Sequence, residues 1–146
     1  MKVKNLIITF VSAIALLLST STISLAKVVG DKIILGAAVS LTGKYSSNGV
    51  HTQNGYNLAV ERINSMGGVK VGGKNYKFEI IYYDDESNSG RAAQLAERLI
   101  KQDGVQFMLG PYSSGLTKAM APVTEKYEIP MVEANGASRS LFTKGY

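Results

Sequence analysis

The chain has 146 residues with 16 Lys and Arg against 11 Asp and Glu, a net charge of +5, a hydrophobic fraction of 45% and no cysteine. The absence of cysteine rules out disulfides and any lipid anchor carried on a cysteine. The positive excess is spread along the chain with no basic stripe interleaved with aromatics, so the pattern is that of a solvated surface and not of a nucleic-acid binder.

The N-terminus reads as an export signal. Met1 to Asn5 carries Lys2 and Lys4, Leu6 to Leu18 is almost wholly apolar, and the segment closes on Ser24-Leu25-Ala26, with small residues where signal peptidase needs them. An apolar run of about 13 residues falls short of the roughly 20 needed to span a bilayer. We therefore expect residues 1–26 to be a cleaved signal peptide and residues 27–146 to be the first part of a longer protein, located in the periplasm or outside the cell. Loss of Lys2 and Lys4 lowers the net charge to +3.

After the signal, hydrophobic periodicities of strand and helix alternate. Such alternation predicts an α/β fold, a Rossmann-like parallel sheet flanked by helices. Lys32 to Val39 is a continuous apolar strand of the kind buried on both faces. A polar loop covers Ser40 to Asn48. From about Ser47 to Met66, Tyr56, Ala59, Val60 and Ile63 recur at helical spacing, and Gly67-Gly68 ends the helix. Val69 to Tyr83 predicts a hairpin turning at Gly72-Gly73, which delivers the chain to the second parallel strand.

Asn88 and Ser89 are N-cap candidates for a helix whose Ala92, Leu95, Ala96 and Leu99 form one apolar stripe ending at Asp103-Gly104. Val105 to Leu109 predicts the third strand. Ser114 to Tyr127 predicts the third helix with Leu116, Ala119, Met120 and Val123 inward; Pro122 removes a backbone donor there and is expected to kink or end it. Ile129 to Val132 predicts the fourth strand, and Ser138 to Tyr146 the approach to a further element.

The most telling segment is Phe107-Met108-Leu109-Gly110-Pro111-Tyr112-Ser113-Ser114-Gly115, an apolar strand breaking into a Gly-Pro turn that sets small hydroxyl residues at the start of a helix. Unpaired N–H groups and the helix dipole make that geometry suited to an anion. A second polar turn, Glu133 to Ser138, follows the next strand. Enzyme signatures are missing: the chain has no Gly-x-Ser-x-Gly elbow, no phosphate loop ending Gly-Lys-Ser/Thr, no Gly-x-Gly-x-x-Gly after the first strand, and a single histidine, His51. Asp84-Asp85-Glu86 reads as capping or solvated acids and not as a metal or phosphate-acceptor site, and no cofactor is implied.

Five segments in the same order and spacing carry a resemblance: Ile34 to Gly43, Asn54 to Ala59, Ile63 to Val69, Tyr83-Asp84-Asp85, and Leu109 to Ser114. Together they resemble the branched-chain amino-acid binding proteins of ABC transporters over nearly all of Lys32 to Tyr146. The resemblance implies the first of two α/β lobes that close on a small-molecule ligand, an amino acid or small carboxylate, and hand it to an ABC permease. It places Ser114, with Ser113 beside it, against the ligand carboxylate. It sets Asn135 and Ala137 in the turn that offers the ligand ammonium a backbone carbonyl and often a threonine hydroxyl, and puts Asn48 near the cleft. Ala137 departs from that pattern; Ser138, one residue on, is the hydroxyl that could replace it. The fold also fits a ligand-sensing ectodomain of a receptor, or an inactive truncated fragment.

Overall fold

The computed structural model describes residues 28–145; the expected signal peptide lies outside the described residues. Six strands form a sheet with β1 (Val28–Val29), β2 (Lys32–Val39), β3 (Val69–Val71), β4 (Lys74–Asp84), β5 (Met108–Leu109) and β6 (Met131–Val132) in chain order. Across the sheet they run β3-β4-β2-β5-β6, with β1 pairing antiparallel to the start of β2. The β2–β4, β2–β5 and β5–β6 pairs are parallel, and β3–β4 is the antiparallel hairpin that the Gly72-Gly73 pair predicts. Both glycines have positive φ, 57° and 85°, as a tight two-residue turn requires.

Helix α1 (Ser46–Ser65) covers one face, and α2 (Ser89–Lys101) and α3 (Ser114–Lys126) pack on the other. The alternation along β2 explains this arrangement. Ile34 and Ala38 join Leu95, Leu99, Val105, Met108, Leu116 and Met120 in the core, while Ile33, Leu35, Ala37 and Val39 are buried beneath α1. Gly36 shares the α2 face, where an added Cβ would lie 2.8 Å from Met108 Sδ and 2.8 Å from Val105 Cγ2. A strand with no exposed face needs the unbroken apolar run that its sequence has.

Helix α2 follows its sequence signals closely. Asn88 is the N-cap, its side chain accepting from the Arg91 N–H, and Ala92, Leu95, Ala96 and Leu99 are all buried. Helix α1 does not. Only Gly49 and Thr52 are buried, Ala59 is exposed, and the contact stripe runs through Thr52, Tyr56, Val60 and Ile63. Asn48 lies in the first turn of α1, not in the preceding loop, because the helix begins two residues before it.

Helix α3 runs through Pro122 without ending. The carbonyl that Pro122 leaves without its helical donor belongs to Lys118, an exposed residue. Ala119 and Val123 are half-buried, and Thr117 and Thr124 are buried beside Leu116 and Met120. The third and fourth strands are shorter than expected, although Gly36 N–H to Phe107 carbonyl (3.0 Å) and Met108 N–H to Pro130 carbonyl (2.9 Å) extend the pairing. Beyond β6 the approach to a further element is a single 3-10 turn, Arg139–Leu141. The short β1 was not anticipated, since two valines carry no periodic signal.

Candidate functional site

Parallel strands deliver their following loops to one end of the sheet, the end where open α/β sheets bind ligands. Four loops meet there: Ser40–Tyr45, Asp85–Asn88, Gly110–Ser113 and Glu133–Ser138. A pair of adjacent carboxylates ties the first two. Asp84 accepts from the N–H groups of Leu41 (2.9 Å), Thr42 (3.2 Å) and Glu86 (2.9 Å) and from the Thr42 hydroxyl (2.7 Å). Asp85, fully buried, accepts from Ser40 Oγ (2.6 Å) and the Ser87 N–H (2.8 Å), while its Oδ2 has no partner.

The two acids are driven in opposite directions. For Asp84, burial pushes the carboxyl up, but the four hydrogen bonds outweigh it and hold it below the usual range. For Asp85, burial dominates and the Asp84 charge adds to it, so the carboxyl lies above that range despite the bonds from Ser40 and Ser87. A depressed folded value means that the Asp84 clasp stabilises the fold above the ordinary carboxylate pKa and loses that effect as pH falls through the folded value. Asp84→Ala is expected to cost about 1 kcal/mol at neutral pH, because Asp84 is only partly buried and solvent screens the bonds it accepts. That difference should shrink as acid protonates the wild-type carboxyl; urea unfolding of both chains at neutral and acid pH measures it, and a pH-independent difference would refute the clasp.

The third and fourth loops carry most of the expected site residues. Ser113 is the N-cap of α3, its Oγ accepting from the Leu116 N–H at 3.4 Å, in a backbone conformation (φ 84°, ψ 139°) that residues other than glycine rarely adopt. Ser114 opens the helix, and its Oγ accepts the Ser138 N–H at 3.0 Å, so Ser114 and Ser138 are in direct contact. Because that bond uses an oxygen lone pair, the Ser114 proton remains available to donate. Ser138 Oγ lies 2.9 Å from Ser140 Oγ, and Ala137 is exposed.

Asn48 and Asn135 meet elsewhere. They line an open hollow of about 500 Å³ together with His51, Thr52, Tyr56 and Tyr112, while Ser113 and Ser114 are outside its lining. Tyr56 donates its hydroxyl to the Gly110 carbonyl at 2.7 Å; burial, followed by the charge of Glu133, pushes the phenol well above its ordinary pKa, so it stays protonated. Tyr112 meets Tyr45 edge to face at 5.7 Å between centroids. A larger hollow, about 570 Å³, lies along α3 and β6 between Thr117 and Phe142.

Tyr56, Thr117 and Glu133 were not singled out by sequence reasoning. The signal for Tyr56 was present: Asn48, Thr52 and Tyr56 repeat every four residues along one face of α1. Nothing local marks Glu133, whose partners come from α3 and from its own turn.

Polar turns and the N-terminus of α3 thus converge at the carboxyl ends of parallel strands, the geometry of a lobe of an open α/β sheet. Comparison with known proteins gives the family. The profile of the periplasmic binding protein family matches residues 32–145, and the chain belongs to that family. The leucine-, isoleucine-, valine-, threonine- and alanine-binding protein of Pseudomonas aeruginosa is 27% identical over 116 residues, covering 80% of this chain and 30% of that protein. Among solved structures, the branched-chain amino acid transporter substrate-binding protein LivJ of Streptococcus pneumoniae, in complex with isoleucine, is 29% identical with a TM-score of 0.68, covering 75% of this chain and 30% of that one. An ABC-transporter solute-binding protein of R. palustris in complex with 4-hydroxybenzoate is also 29% identical, with a TM-score of 0.61 over 76% of this chain and 29% of that one. The chain thus spans about 30% of the length of these relatives. They are named as solute-binding proteins and not as enzymes.

Proposed function

We propose that this chain is the first lobe of the extracytoplasmic solute-binding component of an ABC importer, exported by residues 1–26 and binding a small carboxylate in a cleft between residues 27–146 and a second lobe. The observation that carries the reading is the junction at Ser114, where the α3 N-terminus and the Glu133–Ser138 turn meet with a hydroxyl proton and the helix dipole to spare. In this reading Ser113 and Ser114 take the carboxylate, Asn48 and Asn135 contact the rest of the solute, and an ABC permease in the membrane receives it.

Two solute classes fit, and one residue separates them. An α-amino acid needs an acceptor for its ammonium; Ala137 supplies no hydroxyl, so that role falls to a backbone carbonyl of the turn or to Ser138. An aromatic acid needs none, and the tyrosines at 56 and 112 and the amides of Asn48 and Asn135 suit a ring with a polar substituent. The isoleucine and 4-hydroxybenzoate complexes of relatives at equal identity make both solutes the natural probes.

Ser114→Ala is expected to weaken carboxylate binding by about 1–3 kcal/mol, the effect of leaving a charged partner one hydrogen bond short. Folding stability should fall by less, because only the bond from the Ser138 N–H is lost. NMR titration of the two-lobed protein with isoleucine and with 4-hydroxybenzoate, alongside thermal unfolding, tests this; unchanged affinity with a lower melting point would reduce Ser114 to a helix-end contact.

A further inference from the structure

We infer that Glu133 is the positioning residue of the site, holding the α3 N-terminus and the second turn in one fixed relation without itself contacting solute; this rests on the solute-binding reading above. Its carboxylate is fully engaged. Oε1 accepts the N–H groups of Asn135 and Gly136, both at 2.5 Å, which curls the turn back onto the end of β6. Oε2 accepts the Thr117 hydroxyl at 2.7 Å, which reaches across to α3.

Thr117 is where the two turns couple. Its N–H donates to the Ser113 carbonyl (3.1 Å), and its hydroxyl lies 2.9 Å from that same oxygen and 2.7 Å from Glu133 Oε2. With one hydroxyl proton it serves one acceptor at a time, and the carboxylate is the stronger. Ser113 sits in a strained conformation, which persists only where its surroundings over-determine it. Glu133, Thr117 and the Ser114–Ser138 bond supply that constraint, so the direction of the Ser114 hydroxyl follows from the place of Glu133.

Gly110 completes the device. A Cβ at Gly110 would lie 2.1 Å from Glu133 Oε2 and 2.8 Å from its Cδ, so only glycine lets the carboxylate lie against the third loop. On the other side Gly136 is closed in by Thr117 Oγ1 at 2.9 Å and Glu133 Cγ at 3.0 Å from its own ideal Cβ. The carboxylate thus occupies a slot shaped by two glycines. Because Glu133 consumes the amides of Asn135 and Gly136, neither N–H is left for a solute anion, and anion binding falls to the α3 end alone.

The test needs no solute at its first stage. Amide hydrogen exchange on the isotope-labelled chain should show Asn135 and Gly136 protected in the wild type and in Glu133→Gln, whose carbonyl still accepts both amides. In Glu133→Ala they should exchange at least about tenfold faster, with shifted Ser113 and Ser114 resonances. Gly110→Ala should reproduce this pattern, and its effect should shrink when combined with Glu133→Ala, since the carboxylate clash is then gone and only the Glu133 Cα remains close, at 3.2 Å. Unchanged exchange in Glu133→Ala, or additive effects in the double variant, would overturn the proposal. At the second stage, titration with isoleucine and 4-hydroxybenzoate should give affinities within about twofold of wild type for Glu133→Gln and at least about tenfold weaker for Glu133→Ala. Equal affinity of wild type and Glu133→Ala for a solute that binds would also overturn it. Because the proposed cleft also needs a second lobe, these titrations use the two-lobed protein; a two-lobed wild type that responds to neither solute would defeat the solute-binding reading, while the exchange pattern still decides the role of Glu133.

Discussion

Gly49→Ala is expected to destabilise the fold by at least about 3 kcal/mol, at the upper end of what overpacking costs. An added Cβ would lie 1.9 Å from the Ser40 carbonyl oxygen, 2.6 Å from its carbon and 3.0 Å from its Cα. These are backbone atoms with little freedom to retreat, since Ser40 is fully buried at the end of β2 and its hydroxyl is held by Asp85. The first turn of α1 must lift away instead, taking Asn48 out of the hollow that it lines. Thermal unfolding followed by circular dichroism should show a midpoint lower by more than about 10 °C. A midpoint within about 2 °C of wild type would mean that α1 does not press on β2 as described.

Leu99→Ala should be of similar size, about 2–5 kcal/mol, for the opposite reason. Leu99 has no exposed surface and lies at the meeting of α2, β2 and β5, with its Cδ2 3.3 Å from where a Cβ on Gly36 would stand. Truncation leaves a void that Gly36 cannot fill. Leu99→Met keeps the volume and should cost less than about 1.5 kcal/mol. Urea denaturation of both variants separates cavity from chemistry: equal losses would argue against a close-packed centre here.

What could be read from the residues divides along physical lines. β2, α2 and the Gly72-Gly73 hairpin were legible because each is specified within a few residues of itself, by an unbroken apolar run, by a single stripe under an Asn cap, and by two glycines able to take positive φ. Helix α1 was half legible. Its apolar residues repeat at helical spacing, but its buried face is chosen by Gly49 and Thr52 and by the fit against Ser40, which no periodicity encodes.

The site divides similarly. Ser113 and Ser114 stand out because a Gly-Pro turn and a helix start are local events. The bonds that fix them do not stand out: Ser138 to Ser114, Thr117 to Glu133 and Tyr56 to Gly110 join residues far apart in sequence, and no local pattern pairs them.

The strand order also sets a timetable. β2 is made early yet stands at the centre of the sheet, one edge waiting for Phe78 and Ile81 on β4 and the other for Met108 on β5. Until those arrive, the most apolar strand of the chain has no parallel partner, and the entropy of closing both crossovers must be met before any pairing rewards it. Folding of this kind is slow for the size of the chain, and until both crossovers close the two edges of β2 stay open to pairing with other chains.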